Sequence, residues 1–94
     1  MNVAGGTHHA FANHGEGFCV FNDVCIASNL LLNRGQAQRI LIVDLDVHQG
    51  NGNASIMADE SRVFVFSMHG AKNYPFRKQA SDLDIELAND TGDE

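Results

Sequence analysis

The chain contains no tryptophan, one tyrosine, one proline and two cysteines. Cys19 and Cys25 make neither a CxxC pair nor a disulfide framework, so buried reduced thiols are expected and no covalent staple. No apolar run approaches the ~20 residues of a membrane span. The longest, residues 40–43, is strand-sized. The opening Met-Asn-Val-Ala-Gly-Gly has neither the basic flank nor the apolar centre of a secretory signal, so a soluble cytoplasmic protein without membrane contact is expected. Bases are also scarce. Six Lys and Arg form no stripe, which argues against direct nucleic-acid binding.

What is present reads as an ordinary globular interior: 44% hydrophobic and 19% charged residues. Ninety-four residues allow one small domain or a piece of a larger one. A chain this short buries only about 60% of its unfolded surface. Residues 1–80 carry six acids and six bases, whereas the last fourteen carry six acids and no base. A solvated acidic tail or loop is the expectation there.

The pattern along the chain is loop, helix, strand, helix, strand. Gly5-Gly6-Thr7-His8-His9 and Asn13-His14-Gly15-Glu16-Gly17 are too glycine-rich and polar for regular structure. Asn22 suits an N-cap, apolar residues follow at helical spacing, and Gly35 suits the stop, which predicts a helix over Asp23–Asn33. The aliphatic run 39–43 predicts a strand buried on both faces, as in a parallel sheet covered by helices. A turn at Gly50-Asn51-Gly52, a short helix over 54–58 and a second strand over 62–67 follow, with Phe64, Phe66 and Met57 as packing residues. Residues 85–87 read as a short extended stretch. The fold class is α/β: a parallel sheet segment with flanking helices.

Ligands of open α/β sheets bind at the carboxyl ends of the strands. Here the first strand runs into Asp44, Asp46 and His48, and a period of two would place all three side chains on one face. Two carboxylates and an imidazole are costly to gather unless a cation neutralises them. The adjacent His8 and His9 could supply a general base and an electrostatic partner, each needing a group behind it to fix its tautomer; Asp44 and Asn51 are at hand. A rival zinc module from His14, Cys19 and Cys25 is disfavoured, because Cys25 falls inside the predicted helix.

Four blocks taken together resemble the zinc-dependent histone deacetylase family of the arginase/deacetylase superfamily. They are Gly5-Gly6-Thr7-His8-His9-Ala10, Gly17-Phe18-Cys19-x-x-Asn22-Asp23, Asp44-Leu45-Asp46-Val47-His48-Gln49-Gly50-Asn51-Gly52 and Ser67-x-His69. Gln49, where most members carry a second His, is similar to the class IV branch, as are Tyr74-Pro75 and Lys78-Gln79-Ala80. The resemblance implies Asp46 and His48 as two of three zinc ligands. It implies a His9–Asn51 pair acting as general base and a His8–Asp44 pair that stabilises charge or protonates the leaving amine. It further implies a structural potassium site from Asp44 and Ser67 with the backbone of Asp46, His48 and Met68. Gly17 and Phe18 match one wall of an acyl-lysine channel and Tyr74 the other, with an acyl-lysine protein or acylated small amine as substrate.

The family's third zinc ligand and its transition-state tyrosine have no counterpart in the sequence. The chain is therefore expected to be one partial domain, an internal segment of a longer one, with Thr91 as the cap of a helix that begins near the end. Two functional expectations follow: part of a zinc-dependent deacylase, or an inactive segment serving only as a structural or binding module. Strand edges without neighbours would also favour self-association.

Overall fold

The computed structural model describes residues 6–93; the expectations placed on residues 1–5 and on Glu94 lie outside it. Five elements follow one another: α1 (Asp23–Asn33), β1 (Ile40–Asp44), α2 (Asn51–Met57), β2 (Val63–Gly70) and β3 (Leu83–Leu87). The strands form one parallel sheet in the order β1-β2-β3. Ile42 stands opposite Val65, Asp44 opposite Ser67, and Ser67 opposite Asp84.

Helix α1 has the predicted bounds, and its ends show why. The Asn22 side chain accepts from the Cys25 backbone N–H at 2.9 Å, satisfying one of the orphan donors of the first turn. At the far end Gly35 is left-handed (φ 67°). Its N–H reaches the Leu32 carbonyl while that of Gln36 reaches Leu31, closing the last turn. Cys25 and Leu32 then face Ile42, Met57, Val63 and Val65, which form the core. Both thiols are free and buried, and burial pushes that of Cys25 up to about 12.

Three expectations need correction. The first strand is not buried on both faces: Ile42 is buried, but Leu41 and Val43 are 62% and 55% exposed, and Phe64 beside them is also exposed. Among the described residues, α1 and α2 cover only the face carrying Ile42, Val63 and Val65. Residues 50–52 are not a free turn, because α2 begins at Asn51 rather than at residue 54. The last acids are not simply a solvated tail. Asp84 and Glu86 lie in β3, Asp82 accepts from the Val65 N–H at 2.7 Å, and the Thr91 hydroxyl donates to the Ala88 carbonyl. Among the described residues no helix is long and apolar enough to cross a membrane.

Candidate active site

The strand-to-helix junction after β1 folds by side chain-to-backbone bonds rather than by continued extension. One Asp44 oxygen accepts from the Asp46 N–H at 3.0 Å, and Asp46 Oδ1 accepts from the His48 N–H at 2.8 Å. These two Asx turns replace the expected extended spacing, yet they bring the same groups together. His48 Nδ1 lies 2.9 Å from Asp46 Oδ1. Burial works against the Asp46 charge, but the two His48 hydrogen bonds together with the nearby His8 and His48 rings outweigh it and hold the carboxyl below its usual range.

The loop carrying His8 and His9 is pressed onto the first turn of α2. A Cβ on Gly52 would collide with the backbone of His8, His9 and Ala10, so only glycine permits this approach. In return the Asn53 N–H donates to the His8 carbonyl at 3.2 Å, and Asn22 Nδ2 donates to the Ala10 carbonyl and to Asn53 Oδ1. Thr7 ties the loop to the start of α1 through Asp23. The two histidine rings sit with centroids 4.1 Å apart and are nearly buried.

Each ring has its own partner. His8 Nδ1 pairs with Asp44 Oδ2 at 2.6 Å, and His9 Nδ1 pairs with Asn51 Oδ1 at 2.8 Å. The partners give opposite electrostatics. Burial lowers His8, but the Asp44 hydrogen bond and the nearby carboxylates of Asp44, Asp46 and Asp23 together raise it above the ordinary histidine value. Burial also dominates at His9, and the neutral Asn51 amide cannot offset it with His8 and His48 close by, so His9 is lowered. Asp44 is fixed by strand pairing and Asn51 by the first position of α2.

His9 opens into a cavity of about 620 Å³ lined by His9, Gly17, Phe18, His48 and Tyr74. Gly17 and Phe18 are the central residues of a tight turn closed by Glu16 and Cys19, and both have positive φ, 54° and 64°. Glycine is required at 17, since a Cβ there would meet the His9 ring at 2.5–2.9 Å. Phe18 is a strained exception that throws its ring outward. Tyr74 stands edge-on to His9, with centroids 5.0 Å apart.

Ser67 is adjacent to Asp44 in register, but its hydroxyl lies 2.9 Å from His69 Nδ1. Both Asp44 oxygens are engaged by His8 and Asp46. The potassium expected there finds no support in this arrangement. Two residues were missed by the sequence reading as parts of the site. Gln49, fully buried, donates to the Gln79 carbonyl and to Asp84 and accepts from the Gln79 N–H, fastening the loop before β3. Glu16 accepts from Asn51 and Tyr74. An acid between two loop glycines was the only signal for it.

Among the described residues no three His, Cys, Asp or Glu side chains are gathered as a metal site. One carboxylate oxygen and one imidazole nitrogen, those of Asp46 and His48, do converge, and that donor pair suits zinc.

An open α/β sheet with paired imidazoles at the carboxyl ends of its strands defines the class of site. Residues 1–92 match the histone deacetylase domain. An uncharacterised protein of Picosynechococcus is 60% identical over 92% of this chain and 29% of its own length. Acetylpolyamine amidohydrolase 2 of Pseudomonas aeruginosa is 41% identical over 73% of this chain and 20% of its own. A histone deacetylase homolog from Aquifex aeolicus superposes with a TM-score of 0.76 at 30% identity, covering 89% of this chain and 26% of that one. The chain belongs to the histone deacetylase domain family. It spans between a fifth and three tenths of the length of these relatives.

Proposed function

We propose that the chain supplies the proton-transfer half of a zinc-dependent deacylase acting on acyl-lysine or a related acylated amine. The observation that carries this reading is the pair of dyads, His8–Asp44 and His9–Asn51, set beside the Asp46–His48 donors and one cavity. Zinc, when bound, would polarise the amide carbonyl and lower the pKa of water toward ~7. Asp46 and His48 would hold it, with a third ligand from outside these residues.

The division of labour follows from the two environments. His9, depressed and holding its Nδ1 proton on Asn51, is neutral at pH 7 and accepts a proton from the attacking water at Nε2. His8, raised because the Asp44 carboxylate behind it favours its charged form, is the ring suited to give a proton to the departing amine. Gly17, Phe18 and Tyr74 would line the passage for the acyl-bearing chain, Gly17 keeping it open beside His9. The amidohydrolase relative by its name acts on acetylpolyamines, which supports keeping small acylated amines beside acyl-lysine.

One observation favours the second reading, a non-catalytic structural or binding module: among the described residues only two donors converge, and catalytic zinc generally takes three protein ligands. The purified chain decides between them. Stoichiometric zinc with hydrolysis of an acetyl-lysine peptide or an acetylated polyamine supports the deacylase reading. Substoichiometric zinc with no turnover supports the module.

A further inference from the structure

The hydrogen bonds of the His9 dyad continue past Asn51. Glu16 Oε1 accepts from Asn51 Nδ2 at 3.1 Å and from Tyr74 Oη at 2.9 Å, while Oε2 lies 3.4 Å from His14 Nε2. The Tyr74 bond foremost, joined by those of Asn51 and His14, outweighs the cost of burial and holds Glu16 below the usual glutamate range, so it is ionised at neutral pH.

An ionised carboxylate can accept but not donate. The Asn51 atom facing Glu16 is therefore the amide NH2, which leaves Oδ1 for His9. An acceptor 2.8 Å from His9 Nδ1 keeps the ring proton on Nδ1 and leaves Nε2 bare. Asn51 is 1% exposed, so bulk water is poorly placed to reverse the amide. The carboxylate is not needed to hold its own loop, because the turn is closed by the backbone pair between Glu16 and Cys19 at 3.1 and 2.9 Å.

We propose that Glu16 is a positioning residue that selects the Nδ1–H tautomer of His9 by fixing the direction of the Asn51 amide. The same oxygen holds Tyr74 at the cavity wall. Its use in catalysis rests on the reading of His9 as proton acceptor; the tautomer itself is a property of the chain at rest.

The test is NMR of the 94-residue chain with 15N-labelled histidine rings, recorded without added metal at a pH where His9 is neutral. The expected spectrum shows one His9 tautomer with Nε2 unprotonated. Glu16→Ala removes the acceptor and gives loss of that single signature, with part of the population protonated at Nε2. Glu16→Gln keeps a carbonyl oxygen that accepts from both Asn51 and Tyr74 and restores the single tautomer without the charge. Glu16→Met, which keeps the bulk without an acceptor, replaces the alanine variant should that fail to fold, the α1 amide signals reporting the fold. A wild-type His9 protonated at Nε2, an acceptor-less variant with unchanged ring nitrogens, or a glutamine variant behaving like alanine overturns the proposal. Absence of turnover in this chain would count against the deacylase reading and leave the tautomer result standing.

Discussion

His8 and His9 are consecutive, share one stretch of backbone and lose similar amounts of solvent, yet one is raised and the other lowered. The difference lies in what stands behind each Nδ1. A carboxylate at the end of β1 compensates a buried positive charge on His8; an amide at the start of α2 cannot do so for His9. Asp44 and Asn51 are seven positions apart, and the parallel β-to-α junction puts them behind neighbouring rings. Partner identity, with burial held nearly constant, sends the two imidazoles in opposite pKa directions.

The largest effect should come from removing the ring proposed as base. In any assay where the chain turns over an acetyl-lysine peptide, His9→Ala should lower kcat by roughly 10²–10⁴-fold. His8→Ala should also lower it, but chiefly for substrates with a strongly basic leaving amine, which most need a proton on departure. Equal losses across a series of leaving groups would erase the distinction between the rings.

Gly52→Ala attacks what the two dyads have in common. The added Cβ meets backbone, not a flexible side chain, so the loop or α2 must move. A loss of about 1–3 kcal/mol in urea unfolding is expected. His8 and His9 should lose their difference together, read by their NMR titrations.

Much of this organisation was legible in the sequence, and the failures have physical causes. Helix α1 was readable to the residue because Asn22 and Gly35 act locally, through bonds within three or four positions. The start of α2 was not, because Gly52 serves a contact with residues 8–10 that no local signal announces. The strand β3 was read short, since Asp84 and Glu86 resemble solvated charge while Asp84 is held by Gln49. The open sheet face was misread because an aliphatic run shows what a strand can bury, not what covers it. At the site, spacing grouped Asp44, Asp46 and His48 on one face of an extended strand, whereas turns bring Asp46 and His48 together. The pairing of each histidine was specific only through the resemblance of the four blocks. Glu16 escaped because its partners lie 35 and 58 positions away.

Opposed pKa directions also make opposed contributions to stability. His8, raised in the fold, stabilises fully below the unfolded value near 6.5, and this is lost as pH rises through its folded pKa. His9, lowered in the fold, contributes stability present above 6.5 and lost as pH falls toward its folded pKa. The two windows adjoin at 6.5, so in the wild-type chain these rings make stability rise with pH below that value and fall above it. Asn51→Asp gives His9 a carboxylate, so both rings should then make stability fall with rising pH. Asp44→Asn should do the reverse and leave stability rising with pH. Each unit of pKa displacement corresponds to about 1.4 kcal/mol, readable from urea midpoints between pH 5 and 8. Parallel curves for wild type and both variants would show that the partners do not set the difference.

The smallest expected effect separates the platform from the dyads. Thr7 holds the histidine loop to α1: its N–H donates to Asp23 at 3.1 Å, its hydroxyl lies 2.8 Å from the same carboxylate, and it accepts from the Asp23 N–H. Thr7→Val keeps the shape and the backbone bond while deleting the hydroxyl contacts. Because Thr7 is only half-buried and water can reach the groups left behind, about 0.5–1.5 kcal/mol of stability should go. Neither ring loses its Nδ1 partner, so the gap between the His8 and His9 titrations should survive intact. Should it narrow, the loop's attachment to α1, and not the choice of Asp44 or Asn51, would be what keeps the two imidazoles apart.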